Sequence, residues 1–351
     1  MKPPDECASR KIQAPQSIRI PAEWEPHDCC WMAWAVHAEW QDWIDPVKDE
    51  LATVIRTIAQ FEPVRLLAPR QELADARARL SGSNVEIIEA PVDDIWIRDI
   101  APTFALYGRQ MVAIDWSFNG WGNPRERTAR PGDHLARTAE SIFGVPRIAA
   151  SFVAEGGALI VDGEGTLVTT RSCLLNPNRN PVRGGDPPER MIERKLMQFG
   201  IERVIWLEGD PCERVTSGHV DGYVLFAKPG SVLAEVIDDE VDPPMWRERD
   251  IALLEQAPDA AGRLMQVHRV YAPRERYWKF RGPNWAPCYL NAYMANGAVI
   301  TGRFGDAERD EAARNVLAQT FPAREIVMMS IDHIANGGGG VRCLTQPAWK
   351  Q

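Results

Sequence analysis

The sequence predicts an α/β protein built as a closed, pseudo-symmetric ring of five hairpin–helix–strand units, a five-bladed α/β propeller. Three observations carry this expectation. A hairpin, a helix and a further strand recur four times at a spacing of roughly sixty residues, the kind of period that marks a repeat architecture. A fifth hairpin can be assembled only from the two ends of the chain, and such closure would remove exposed sheet edges. Ionisable residues stand at the hairpin entrances, where equivalent positions of a ring converge on its axis.

Residues 1–20 are polar and contain prolines, without the apolar segment of a signal peptide, and read as a loose tail. Residues 21–351 then form a single catalytic domain. Positions 29–34 (Cys-Cys-Trp-Met-Ala-Trp) are a buried strand. Asp45 is placed to cap a helix with Pro46 at its first position. Val47, Leu51, Val54, Ile55 and Ile58 fall on one face of that helix. A strand at 64–67, a helix over 71–80 and a strand at 85–88 follow.

The first complete unit is a hairpin of 103–106 and 111–116 around Tyr107-Gly108, a helix over 133–143 and a strand at 151–153. The second joins 158–161 to 166–170 around Asp162-Gly-Glu-Gly165, then a helix over 188–199 and a strand at 203–207. The third joins 220–227 to 232–237 around Lys228-Pro-Gly230, then a helix near 244–256 and a strand at 266–270. The fourth joins 289–294 to 298–301 around Asn296-Gly297, a strong hairpin signal, then a helix over 306–320 and a strand at 325–329. A strand at 343–345 would pair with 29–34 and complete the fifth.

Composition removes several classes of function. A net charge of −9 argues against nucleic-acid binding and mildly suits a cationic substrate. No apolar run approaches membrane-spanning length. Seven cysteines, an odd number with no CxxC pair, support neither a disulfide framework nor a zinc site, so the reducing cytoplasm is the expected compartment. Self-association stays open.

The run Gly337-Gly-Gly-Gly340 strips side chains from one turn just before Cys343, as a backbone that approaches a ligand closely requires. A thiol behind a bare loop is a nucleophile when a histidine and acids join it. Asp99 stands at the first hairpin, Glu155 at the second, and His219 and Asp221 at the third. Spaced two apart on a strand, His219 and Asp221 would share a face. Two carboxylates facing one pocket suit a planar guanidinium, which offers paired N–H donors to each. Cysteine can attack its central carbon, and histidine can protonate departing ammonia and later deprotonate water. Glu155 would fix the histidine's tautomer and charge. No metal or cofactor is required.

The segments Trp31-Met-Ala-Trp34, Trp96-Ile-Arg-Asp99, Phe152-Val-Ala-Glu-Gly-Gly157, Leu174-Leu-Asn-Pro-Asn-Arg-Asn-Pro181, Gly218-His-Val-Asp221 and Gly337 through Gln346 resemble the agmatine deiminase family. That family belongs with the bacterial peptidylarginine deiminases in the guanidino-modifying (pentein) superfamily. The resemblance spans nearly the whole chain, from about Ile20 to Gln346. It implies a five-unit α/β propeller and conversion of agmatine and water to N-carbamoylputrescine and ammonia. It assigns Cys343 as nucleophile, His219 as general acid/base, and Asp99 and Asp221 as guanidinium ligands. Glu155 matches the acid near the histidine and Trp96 a part of the pocket wall; Gly339 and Gly340, on the bare turn, are expected to face the substrate. The partner implied is a small cationic guanidino compound.

The chain departs from the family pattern around these positions. Gly340 and Arg342 replace an Asn and a His before the nucleophile, Ser217 an Asn before Gly218, and Gly222-Tyr223 follow Asp221. Segment 274–287 is basic and aromatic, with Arg274, Arg276, Tyr277, Trp278, Lys279, Arg281 and Trp285. These changes lie where the far end of a substrate is expected. The alternatives are therefore another guanidino substrate (free arginine, peptidyl-arginine or a specialised metabolite) or amidino transfer by the same thiol. Strand alternation would put Arg342 and Cys343 on opposite faces. Arg342 then serves either a supporting salt bridge or the selection of an acidic substrate.

Overall fold

A computed structural model of the protein describes residues 17–122, 131–182, 185–238 and 245–350. The fold is mixed α/β, with five separate sheets among the described residues. One joins the chain ends: Gln346–Trp349 runs antiparallel to His27–Ala33, which is parallel to Val64–Ala68, itself parallel to Val85–Glu89. The next three share one connectivity. Hairpins of Thr103–Tyr107 with Gln110–Asp115, Ile160–Val161 with Thr166–Thr170, and Val224–Lys228 with Ser231–Val236 each add a parallel third strand. Those third strands are Arg147–Ala149, Arg203–Leu207 and Gln266–Tyr271. In the last sheet Ala298–Arg303 is parallel to Glu325–Ser330. A parallel step needs a crossover connection, and the helices supply it. None of the described helices is long and apolar enough to cross a membrane.

The helix Ile44–Ile58 buries Val47, Leu51, Val54, Ile55 and Ile58 as its periodicity requires. They join Leu66, Val299, Ile300 and Leu317 in one apolar cluster, so this helix face packs on elements from both ends of the chain. The helix starts before Asp45, so Asp45 is not its cap. Asp45 and Pro46 lie in the first turn, where backbone N–H groups lack intrahelical partners and a proline costs little. Asp45 instead pairs with Arg79 at 2.9 Å. Helices Pro188–Leu196, Met245–Gln256 and Ala307–Thr320 fall where expected, the last capped by Asp306, whose side chain accepts from the Arg309 amide.

Several expected elements are displaced, for related physical reasons. The helix over 133–143 is a 3₁₀ stretch, Pro131–Thr138, followed by a single α turn, Ala139–Ile142. The strand expected at 151–153 is Arg147–Ala149. Asn180 takes both backbone groups of Val153, accepting from its N–H (3.0 Å) and donating to its carbonyl (2.8 Å). The arm expected at 289–294 keeps only a bridge between Tyr293 and Ile300. There Glu235 accepts from the Tyr289 amide and Thr301 donates to the Tyr289 carbonyl. Side chains that satisfy backbone groups remove the drive to form a ladder. Positions 220–222 and 342–344 are 3₁₀ turns, with the strands beginning at Val224 and Gln346. The tail expected over 1–20 ends earlier than that, since Ile18–Arg19 pairs with Leu106 and Tyr107. Residues 1–16 and Pro244 lie outside the described residues.

Candidate active site

The sites of departure from regular strand are the places where the ionisable side chains gather. Asp99 lies on the single turn Ile97–Ile100. Its Oδ1 accepts from the Gly157 amide at 2.8 Å and its Oδ2 from the Trp121 indole at 2.8 Å. A Cβ at Gly157 would overlap His219 Nδ1, so that amide reaches Asp99 only from a glycine. His219 stands between two acids. Its Nδ1 is 3.8 Å from Asp99 Oδ2, and its Nε2 is 3.5 Å from Glu155 Oε2 without a hydrogen bond. Glu155 is fully buried and receives Arg179 Nε at 2.8 and 3.1 Å.

Asp221 and Cys343 meet opposite His219. Cys343 Sγ is 4.0 Å from Asp221 Oδ2. Asn291 holds the thiol from both sides, accepting from the Cys343 amide and donating to Sγ, each at 3.3 Å. The glycine run is explained by close approach. A Cβ on Gly339 would lie 2.5 Å from the Trp96 ring, and one on Gly340 2.9 Å from Asn291 Oδ1. Gly338 has φ +98°, which L side chains rarely adopt. Trp96 in turn packs near Trp40, with ring centroids 6.1 Å apart.

All eight residues singled out in the sequence therefore have a place: Trp96, Asp99, His219, Asp221, Gly339, Gly340 and Cys343 line one cavity of about 600 Å³, and Glu155 lies behind His219. The strand argument for His219 and Asp221 does not hold, because a 3₁₀ turn carries them. It is the turn, not alternation, that sets both on the cavity. Arg342 is likewise not opposed to Cys343. Its guanidinium reaches round to Asp221 Oδ2 (2.8 Å), Glu23 (2.8 Å) and the carbonyls of Gly156 and Leu159. Only 3% exposed and off the cavity wall, Arg342 supports Asp221 from behind and does not select an acidic substrate.

Sequence reasoning gave no role to Asn291, Arg179, Trp121 or Cys173. Asn291 is the one strongly polar residue in the apolar run 288–295, and that was a readable signal. Trp121 carried none: it adopts φ +58°, unusual for a bulky residue, in a loop that points its indole at Asp99.

Electrostatics differ from group to group. Burial, then Asp221 and Asp99, push the Cys343 thiol well up. Burial would lower His219, but Asp99, Cys173 and Glu155 outweigh it and hold the imidazolium well above its ordinary value. Burial raises the Asp99 carboxyl, with Asp221 and Glu155 adding to it against His219 and Trp121. Burial would also raise Glu155, but Arg179 and His219 outweigh it and keep it ionised.

The far part of the cavity is lined in part by the basic and aromatic segment 274–287. Glu275, Trp278, Asn284 and Trp285 of the 274–287 segment form its wall. The cations of that segment turn elsewhere: Arg274 to Asp306 (2.6 Å), Lys279 to Asp332 (3.5 Å) and Arg281 to Glu275. Arg247 is stacked between Tyr223 and Trp246, 4.2 and 4.6 Å from their ring centroids, and lies 4.0 Å from Glu235. Burial pushes Glu235 up to about 7 against the pull of Arg247. The described lining carries Asp99, Asp210, Glu213, Asp221, Glu235 and Glu275 against Arg247 and the His219 imidazolium, so the cavity favours a cation.

The mixed α/β scaffold thus brings a thiol, an imidazole and carboxylates onto one cavity. The chain belongs to the Porphyromonas-type peptidyl-arginine deiminase family, whose model matches residues 19–348; it is a hydrolase of C–N bonds. It is 37% identical to the agmatine deiminase of Pseudomonas aeruginosa, covering 94% of this chain and 95% of that one. It is 35% identical to the agmatine deiminase of Medicago truncatula, covering 94% and 96%. The structure of the agmatine deiminase of Enterococcus faecalis superposes with a TM-score of 0.86 at 28% identity, covering 97% and 99%.

Proposed function

We propose that this protein hydrolyses the guanidino group of a small cationic compound, with agmatine and water giving N-carbamoylputrescine and ammonia. The observation that carries the reading is the meeting of Cys343, Asp221, Asp99 and His219 on one acidic cavity. Asp99 and Asp221 take the guanidinium N–H groups and fix its plane. The arriving cation offsets the carboxylates that hold the thiol protonated and lowers it toward reaction, so that its proton passes to solvent water. Thiolate Sγ attacks the central carbon, and the imidazolium of His219 gives its proton to the leaving nitrogen as ammonia departs. The S-amidino adduct remains. His219, now neutral, takes a proton from water, the oxygen adds to the same carbon, and the thiolate is expelled. Glu155, held by Arg179, keeps His219 charged and oriented. Cys173 is the weaker candidate for nucleophile, because it is fully buried and off the cavity wall. We read the five sheets as the five blades of a ring whose axis carries this site.

Arg247, the one arginine of the described lining, favours a second reading in which the substrate is a guanidino acid such as arginine. The test is ureido and ammonia formation across agmatine, arginine, peptidyl-arginine and 4-guanidinobutyrate, with and without added amines. Agmatine is expected to turn over fastest and Cys343→Ala to be inactive while folded. Turnover of arginine alone would move the substrate and keep the chemistry. An absolute requirement for an acceptor amine would make the protein an amidinotransferase.

A further inference from the structure

Around the Nε2 of His219, on the edge of the ring away from Asp99, three potential ligands converge. His219 Nε2 is 3.5 Å from Glu155 Oε2, and Cys173 Sγ is 3.9 Å from the same oxygen. The nitrogen, sulfur and oxygen all lie within 4.8 Å of one another. His219 Nε2 is a buried polar atom without a hydrogen-bond partner, and it points into this triangle. Bond lengths of about 2.0–2.3 Å from zinc to N, O and S set ligand separations of about 3.3–3.6 Å in a tetrahedron. The triangle needs to contract by only a few tenths of an ångström on its two measured edges.

The geometry points to an inhibitory site for a divalent, borderline-soft cation such as Zn²⁺, bound by Glu155, Cys173 and the Nε2 of His219 with a solvent ligand in the fourth position. A thiolate, an imidazole and a carboxylate form a donor set suited to zinc and poorly suited to the hard cations Mg²⁺ and Ca²⁺. Arg179 on Glu155 does not forbid the metal. Coordination requires a deprotonated thiol and a neutral imidazole, so a doubly charged ion replaces two protons and the local charge is unchanged. His219 lines the cavity, which supplies the route in. The metal-bound imidazole keeps only its Nδ1–H, a far weaker acid than the imidazolium, so the metal slows turnover without touching Cys343. This is a switch on the reaction, distinct from a resident cofactor.

The inhibition arm of the test rests on the deiminase reading; the spectroscopic arm does not. Chelator-treated protein in buffer free of added thiol is titrated with Co²⁺ as an optical probe. One equivalent is expected to give tetrahedral d–d absorption and a thiolate-to-cobalt charge-transfer band, both removed by Zn²⁺. The band is expected to persist in Cys343→Ala and to vanish in Cys173→Ser, whose fold is checked by circular dichroism. Should Cys173→Ser not fold, His219→Ala in the Cys343→Ala background is expected to lose the band. With substrate, Zn²⁺ is expected to inhibit the wild-type protein at least tenfold, reversibly with EDTA. A band that survives in Cys173→Ser, or that disappears in Cys343→Ala, overturns the proposal, as does no band in the wild type.

Discussion

The two ends of the cavity are built differently. At the reacting end each carboxylate is fixed by a buried donor: Asp99 by Gly157 and Trp121, Asp221 by Arg342, and Glu155 by Arg179. At the far end Arg247 Nε has no hydrogen-bond partner, and Glu235 sits close to its titration point. Charge is thus locked in place where a planar cation is to be held, and left adjustable where the rest of a substrate lies. Preorganised charge needs no reorganisation during reaction and is the larger contributor to catalysis. An adjustable end tunes affinity.

The largest expected effect tests this contrast directly. Asp99→Asn and Asp221→Asn should each lower kcat/KM by about 10²–10³-fold, as loss of one preorganised electrostatic contact does. Arg247→Ala should change it by less than about tenfold, mostly through KM. Steady-state kinetics on agmatine decides. An Arg247→Ala loss as large as that of Asp99→Asn would break the contrast and make the far end part of the reacting machinery.

Glu235 sharpens it next. A carboxyl raised from 4.5 to about 7 by burial favours the protonated folded state. Its contribution to stability is complete below the unfolded value and is lost as pH rises through about 7. Glu235→Gln keeps an acceptor for the Tyr289 amide and removes that loss. It should raise unfolding free energy by about 1–3 kcal/mol at pH 8 and leave it nearly unchanged at pH 4. Urea denaturation at the two pH values measures it. An equal effect at both would mean that packing, not ionisation, is involved.

The thiol gives the third test. Because Asp221 and Asp99 add to burial in raising Cys343, its thiolate fraction grows about tenfold per pH unit below its titration point. The raised His219 stays protonated over the same interval. The kcat/KM profile, which reports the free enzyme, should climb from pH 6.5 and peak on the alkaline side. An optimum at or below about 6.5, the ordinary histidine value, would show that the carboxylates do not hold the thiol protonated.

The same contrast explains what could be read from sequence. Periodicity located Ile44–Ile58, and turn chemistry located the hairpin at 107–110, because apolar spacing and Gly turns are local signals. The reacting residues were legible as charges at hairpin entrances. Their geometry was not, since 3₁₀ turns at 220–222 and 342–344 replace the strands that alternation assumes. Asn180 on Val153 and Glu235 on Tyr289 are contacts across 27 and 54 residues, and no window of sequence displays them. Arg342 shows the same limit. Its neighbour in sequence is Cys343, yet its contacts are with Glu23 and Asp221, far away along the chain.

The smallest expected effect concerns the loop that delivers His219. Ser217 has φ +61°, in the left-handed region that costs an L residue about 1–2 kcal/mol and that Asn tolerates best among non-glycines. Its hydroxyl accepts from Asn176 and Arg179, each at 3.3 Å, and an Asn side-chain oxygen can accept from both. Ser217→Asn should therefore relieve backbone strain without loosening Arg179 from Glu155, and raise Tm by about 1–2 °C with kcat/KM unchanged within twofold. Ser217→Val, β-branched and without an acceptor, should lower Tm and also slow turnover, because Arg179 loses one of the contacts that fix Glu155 behind His219. If Val were tolerated as well as Asn, the loop would not depend on its left-handed residue, and the rigidity assigned to the reacting end would have to come from the carboxylate contacts alone.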